Sequence, residues 1–286
     1  MTGRLGGSQG ELGVTRPRPG VGDRLRRWFG GGWRNRALPG EYAAILSRDV
    51  PLYGRLDEAD QRELRQHLQV FLRRKTFEGC AGQMITDEVR ITIGAQACIL
   101  LLHRQTGYYP RLRSILVYPH AYVAWHRERG AGGVVSDEVQ QRAGESWSRG
   151  AVVLAWDEVR RGAAGVRDGR NVVLHEFAHQ LDTEDDSRAD GAVALPQRAM
   201  YGEWAAVMRR EYAELQQQVG LGRPTVLDAY GATSPAEFFA VATECFFERP
   251  AALMEAHPEL YGELKLYYRQ DPVRWASSGT APLGVE

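Results

Sequence analysis

The chain has 286 residues, 43% of them hydrophobic, and its 36 basic and 36 acidic side chains leave a formal net charge of zero. That length and apolar content can bury a sizeable core in one large domain or two small ones, and the balanced charge gives no global drive toward nucleic acid or an acidic membrane. The three cysteines, Cys80, Cys98 and Cys245, are odd in number, far apart and without a C-x-x-C pair. This argues against a disulfide framework or a cysteine-built zinc site and fits free thiols in a reducing compartment.

In chain order, residues 1–37 are rich in Gly and Arg, lack the apolar region of a signal peptide, and read as a disordered N-terminal arm. From Pro39 the composition changes, and residues 38–275 read as one domain. A short helix is expected over residues 41–46. A longer one is expected over 58–74, where Leu64, Leu68, Phe71 and Leu72 recur at helical spacing behind a plausible N-cap, Asp57. Residues 89–102 form an apolar stretch readable as strand or helix, with helix favoured in its second half. Residues 114–118 and 151–156 read as strands, with loops at 130–133 and around Ser146. The strand at 151–156 is either an ordinary core strand or an edge on which an extended substrate can pair. The second half reads as helices over 171–182, 198–218, 235–247 and 258–269, and residues 276–286 as a disordered tail rich in Ser, Gly and Pro. The pattern is α+β, mainly helical with a small mixed sheet. The longest apolar runs, 97–102 and 151–156, are too short to span a bilayer, so a soluble cytoplasmic protein without a membrane span is expected.

The strongest chemical signal is Asn171-Val-Val-Leu-His175-Glu176-Phe-Ala-His179-Gln-Leu-Asp182. On a helix, residues i and i+4 share a face about one turn apart, so His175 and His179 can offer two imidazole nitrogens to one ion. Glu176 follows the first histidine, where a carboxylate can reach metal-activated water without binding the metal. The flanking residues are apolar, so this helix is expected to be buried nearly all round, and buried histidines and a glutamate need partners.

Catalytic zinc usually takes three protein ligands and leaves one position open. Asp185, six residues after His179, is one candidate for the third, but that route needs a sharp turn and a glycine where Asp182 stands. The alternative is a carboxylate in Ser234-Pro235-Ala-Glu237-Phe-Phe-Ala-Val-Ala-Thr-Glu244, an almost wholly apolar helix with Ser and Pro at its start. Glu237, in the first turn, is favoured. Glu244, two turns further on the same face, is read either as support for a metal-bound histidine or as a plain ion-pair partner.

His-Glu-Phe-Ala-His-Gln-Leu-Asp at 175–182, Tyr230-Gly231 and Ala236-Glu237-Phe238-Phe239-Ala240 together resemble the Mlc titration factor A family of metallopeptidases. Residues 70–72, 77–80 and 96–98 extend the likeness upstream, so that it covers roughly 38–275. The same segments are similar to the C-terminal catalytic domain of anthrax lethal factor. The resemblance implies a zincin-like fold and one Zn2+ per chain held by His175, His179 and Glu237. It also implies a general base at Glu176 and a Tyr230 hydroxyl near the reacting carbonyl. Many zinc peptidases carry an acid four residues after the third ligand; here that position is Val241, so support for the histidines must come from elsewhere. The implied activity is hydrolysis of a peptide or protein substrate through metal-activated water. The alternative is a binding protein that sequesters a transcriptional repressor, with a structural or weakly active zinc site and no direct contact with nucleic acid.

Overall fold

The computed structural model describes residues 40–120, 122–129, 135–142, 150–163, 168–184, 191 and 193–277, the two stretches 122–129 and 135–142 by their backbone pairing. The chain divides after Ala37, and all described residues belong to the second unit, Leu38–Glu286. The expected arm at 1–37, the loops at 130–133 and around Ser146, the candidate Asp185, and the tail beyond Ser277 lie outside the described residues.

Two short helices, α1 (Gly40–Asp49) and α2 (Pro51–Arg55), lead into α3 (Glu58–Arg74). Asp57 caps α3 as expected, its Oδ1 accepting the Asp60 N–H at 2.8 Å. Leu64, Leu68 and Phe71 form the fully buried stripe of α3. They pack on α4 (Asp87–Ile99), which Thr86 caps. α4 settles the ambiguous apolar stretch as helix. It is enclosed on every side from Ile91 to Ile99, so its sequence carries no amphipathic period to separate helix from strand.

Three parallel strands form one sheet in the order β1-β2-β5: β1 (Thr76–Gly79), β2 (Ser114–Tyr118) and β5 (Ala151–Ala155). Phe77 pairs with Ile115, and Ile115 with Val152. β1 reaches β2 through α4, the helical crossover that parallel strands need. Val152 to Ala155 are all buried, the continuous apolar run of a strand covered on both faces. Between β2 and β5 in sequence lies an antiparallel pair, β3 (Tyr122–Arg129) and β4 (Val135–Arg142). The expected mixed sheet is thus a parallel sheet plus a separate antiparallel pair.

From β5 the chain passes straight into α5 (Trp156–Ala163) and then the helical half. This comprises α6 (Val172–Asp182), α7 (Tyr201–Gly220), α8 (Pro235–Glu248), α9 (Pro250–Ala256), α10 (Pro258–Tyr268) and α11 (Pro272–Ser277). Prolines open α8, α9, α10 and α11, where a missing N–H costs nothing. α6 packs against α8, α4, α5 and β5. Rings fix it on one side: Phe177 lies 5.7 Å from Phe71 and 4.8 Å from Tyr109, centroid to centroid. α8 is fixed through Phe239, 6.2 Å from Trp204 of α7 and 5.8 Å from Tyr267 of α10. Each such fully buried ring contributes on the order of 2–3 kcal/mol of transfer free energy. Two well-anchored helices therefore face each other at the centre of the unit.

Candidate metal centre

Asn171 starts α6. Its Oδ1 accepts the N–H groups of Val173 and Leu174, both at 3.1 Å. Val173, Leu174, Phe177, Ala178 and Leu181 are buried, as the apolar flanks predict, and so are Glu176 and His179. Ser234 caps α8, its Oγ accepting the Glu237 N–H at 3.2 Å. That cap sets Glu237 in the first turn, at the end of α8 that meets the histidines.

The packing of α6 on α8 brings three donor atoms together. Glu237 Oε2 lies 3.0 Å from His175 Nε2 and 3.3 Å from His179 Nε2, and the two Nε2 atoms are 3.2 Å apart. Two imidazole lone pairs at that separation repel unless a proton or a cation lies between them. Loss of solvent opposes charge on His175. The Glu244 charge, the hydrogen bonds of Glu237 and Glu244, and the Glu176 charge outweigh it and hold His175 well above its ordinary value. His179, with less carboxylate around it, is pushed down by burial. Burial also opposes ionisation of Glu237, but its bonds with both histidines pull it down to about 2. The centre therefore holds an ionised carboxylate between two imidazoles and draws positive charge strongly.

A metal ion fits this set. Two nitrogens and one carboxylate oxygen all lie within 4.8 Å of one another. Their chemistry is the two-histidine, one-carboxylate combination of a metal centre that keeps an open position. Among the described residues one other group, Asp60, Glu63 and His103, meets the same span. Its members satisfy each other: His103 Nε2 faces Asp60 Oδ1 at 3.1 Å, Nδ1 faces Glu63 Oε2 at 3.4 Å, and the His103 N–H donates to Glu63 Oε1.

Tyr230 sits beside the centre, its ring centroid 6.1 Å from that of His175 and its side chain half exposed. It lies on a short 3-10 turn, Ala229–Ala232, whose N-cap is Asp228. Asp228 Oδ1 accepts the Tyr230 N–H at 2.9 Å, while Oδ2 accepts from Arg170 Nε at 2.6 Å. Arg170 directly precedes Asn171, so this ion pair ties the tyrosine turn to the start of the histidine helix. Asp182, where a glycine would be needed to route the chain to Asp185, ends α6 and accepts the Gly191 N–H at 2.8 Å.

Glu244, read from the sequence either as support for a metal-bound histidine or as an ion-pair partner, places its Oε2 2.9 Å from His175 Nδ1. Burial pushes this carboxyl up, with His175 and the Asn171 N–H acting in the opposite direction. Sequence reasoning missed Gln96, Glu248 and the Arg170–Asp228 pair. The available signal was a polar residue inside an apolar helix, Gln96 in α4 and Glu248 at the end of α8, which by itself names no partner.

The glucose-regulated metallo-peptidase M90 profile matches residues 24–269. An uncharacterized protein of Synechocystis sp. is 43% identical over 239 residues, covering 83% of this chain and 86% of the relative. Mlc titration factor A of Klebsiella pneumoniae subsp. pneumoniae is 30% identical over 241 residues, 84% of this chain and 88% of that protein. The titration factor of Escherichia fergusonii is 28% identical over 253 residues, covering 88% and 93%. With a match over most of its length and a histidine–glutamate centre of this geometry, the chain belongs to the glucose-regulated metallo-peptidase M90 family.

Proposed function

We propose that this protein is a zinc-dependent peptidase, with one Zn2+ per chain held by His175 Nε2, His179 Nε2 and Glu237 Oε2. The observation that carries the reading is the mutual approach of these three atoms to 3.0–3.3 Å, with Glu176 buried on the same helix. Bound there, zinc supplies Lewis-acid chemistry that polarises a scissile carbonyl and acidifies water. The chain's own groups do the rest. Glu176 takes a proton from the attacking water and delivers it to the leaving amine. Tyr230, half exposed beside His175, donates its hydroxyl to the oxygen on which charge develops. β5, an edge strand among the described residues in the order β1-β2-β5, is the strand assigned to pairing with an extended peptide. Residues 38–275 are the catalytic domain in this reading. The thiols of Cys80, Cys98 and Cys245 are free and fit a cytoplasmic setting. Among the described residues no helix is long and apolar enough to cross a membrane.

The test is cleavage of a mixed peptide library by zinc-loaded wild type beside Glu176→Gln and Tyr230→Phe. Glu176→Gln keeps volume and zinc, and its turnover falls by at least about 10²-fold, the usual scale for losing a general base. Tyr230→Phe lowers turnover with little change in substrate affinity. Equal cleavage by all three sinks the assignment and identifies a contaminating protease.

A second reading rests on the relatives named Mlc titration factor A. In it the protein sequesters a transcriptional repressor through its outer surface. Such an interface needs roughly 800 Å² per partner, so binding survives Glu176→Gln. Repressor binding by a folded, zinc-replete protein that cleaves no peptide would select this reading over the first.

A further inference from the structure

We infer that Glu244, held in place by Asn171, is the positioning residue that fixes the orientation and tautomer of His175 for metal binding. This rests on the reading of His175 as a metal ligand.

Glu244 lies two turns beyond Glu237 on α8 and is buried. Each of its oxygens meets one donor from the start of α6. Oε1 accepts the backbone N–H of Asn171 at 2.6 Å, and Oε2 faces His175 Nδ1 at 2.9 Å. Asn171 is itself fixed at all its polar atoms. Its Oδ1 caps α6, and its carbonyl accepts the His175 N–H at 2.9 Å. Its Nδ2 donates to Gln96 Oε1 at 2.8 Å and to Glu248 Oε1 at 3.0 Å. Glu244 is therefore anchored to the backbone of the very turn that carries His175.

An imidazole has two nitrogens, and the proton on one decides what the other can do. In the neutral ring that a metal requires, Nδ1–H donated to Glu244 leaves the lone pair of His175 on Nε2, the atom that faces Glu237 and His179. A carboxylate is required for this arrangement, because two donors converge on it and both of its oxygens accept. A glutamine has one acceptor oxygen. If that oxygen takes the Asn171 N–H, the amide NH2 points at His175 Nδ1 and stabilises the tautomer with its proton on Nε2. If it takes His175, the NH2 is set against the Asn171 N–H in a site closed to water. The acid that many zinc peptidases carry four residues after the third ligand is Val241 here. Glu244, about one turn further along, is the carboxylate that meets His175 Nδ1 in this fold.

The experiment measures zinc affinity by chelator competition in wild type, Glu244→Gln, Glu244→Asp and Glu248→Gln. It is joined to long-range 1H–15N spectra of the histidine rings in zinc-loaded protein. In wild type the His175 proton resides on Nδ1. Glu244→Gln weakens zinc by about 10- to 100-fold, the scale for losing an outer partner of a metal-bound histidine. Spectra of the metal-free variant show the His175 cross-peaks moving toward the pattern of a ring protonated on Nε2, a change of tautomer that loss of packing alone does not produce. Glu244→Asp keeps both acceptors but withdraws them by one methylene, and weakens zinc by about 10-fold. It carries the test if the glutamine variant does not fold. Glu248→Gln touches Asn171 but not His175 and leaves zinc affinity within about 3-fold of wild type, well short of that scale. Unchanged zinc affinity in either Glu244 variant overturns the inference and leaves the metal reading standing. A wild type that binds no zinc overturns both.

Discussion

Glu248 ends a buried polar seam behind the histidine helix, and its carboxyl is pushed up to about 7, first by burial, against the pull of Asn171 and Arg55. In the unfolded chain it titrates near the ordinary glutamate value. Folding therefore favours the protonated form, and the benefit is fully present below about pH 4 and lost as pH rises through about 7. Glutamine at this position stays neutral and still accepts from Asn171. The stability difference between Glu248→Gln and wild type is expected to be small at pH 4 and to grow to about 2–3 kcal/mol in favour of the variant at pH 8. Urea unfolding of the metal-free proteins at the two pH values measures it; a difference that does not change with pH rules out a neutral Glu248. Residues such as this one mark the limit of what the sequence discloses. His175, Glu176 and His179 are legible because i and i+4 fall within one apolar helix. Glu237 is legible because an acid on an apolar helix needs a partner. Asn171 meets Gln96 and Glu248 across separations of 75 and 77 residues, and Arg170 meets Asp228 across 58. No local pattern announces such pairings.

Among the elements, the site depends on how α6 and α8 are held together, and Gly191 is one of the fastenings. Its N–H is bound by Asp182 at the end of α6, its φ is +78°, and a Cβ there would stand 2.7 Å from the Pro235 carbonyl oxygen at the start of α8. Both the left-handed backbone and the approach of two main chains demand glycine. Gly191→Ala is expected to lower the stability of the metal-free protein by about 1–3 kcal/mol and to weaken zinc, since Pro235 is two residues from Glu237. Denaturation and chelator competition together read this. Unaltered stability would mean that the approach is not a fixed feature of the fold. The long helices α3, α6, α7, α8 and α10 are readable from their apolar residues, and α3, α8 and α10 also from their Asp, Ser and Pro starts. The short elements α2, α5, α9, α11 and β1 were not, because four to eight residues carry too little periodicity to stand out. α4 was ambiguous for the opposite reason, being apolar on every face.

For the whole molecule, the α+β class was legible from strands placed early and helices late, while the parallel order β1-β2-β5 was not, since it depends on pairings between distant segments. The same distance gives metal binding its leverage over stability. His175 and His179 stay near one another in an unfolded chain, but Glu237 lies 62 residues from His175 and joins them only when α6 packs on α8. On the proposed assignment zinc binds the folded state preferentially, and at 100 times its dissociation constant it adds about 2.7 kcal/mol. For a unit of this size that corresponds to a rise in melting temperature of about 5–10 °C. Glu237→Ala removes most of the rise. Asp185→Ala retains it, because Asp182 ends α6 without the glycine turn that would carry Asp185 to the histidines. Among the described residues the buried hydrophobic ones begin at Tyr42, and all three proposed ligands fall between 175 and 237. A chain lacking residues 1–37 is therefore expected to unfold in one cooperative transition and to show the same zinc-dependent rise as full-length protein. Calorimetry of the two forms with and without zinc decides the matter. Cooperative unfolding of the shortened chain without the zinc-dependent rise would mean that residues 1–37 complete the metal centre, and 38–275 could then no longer be taken as the catalytic domain.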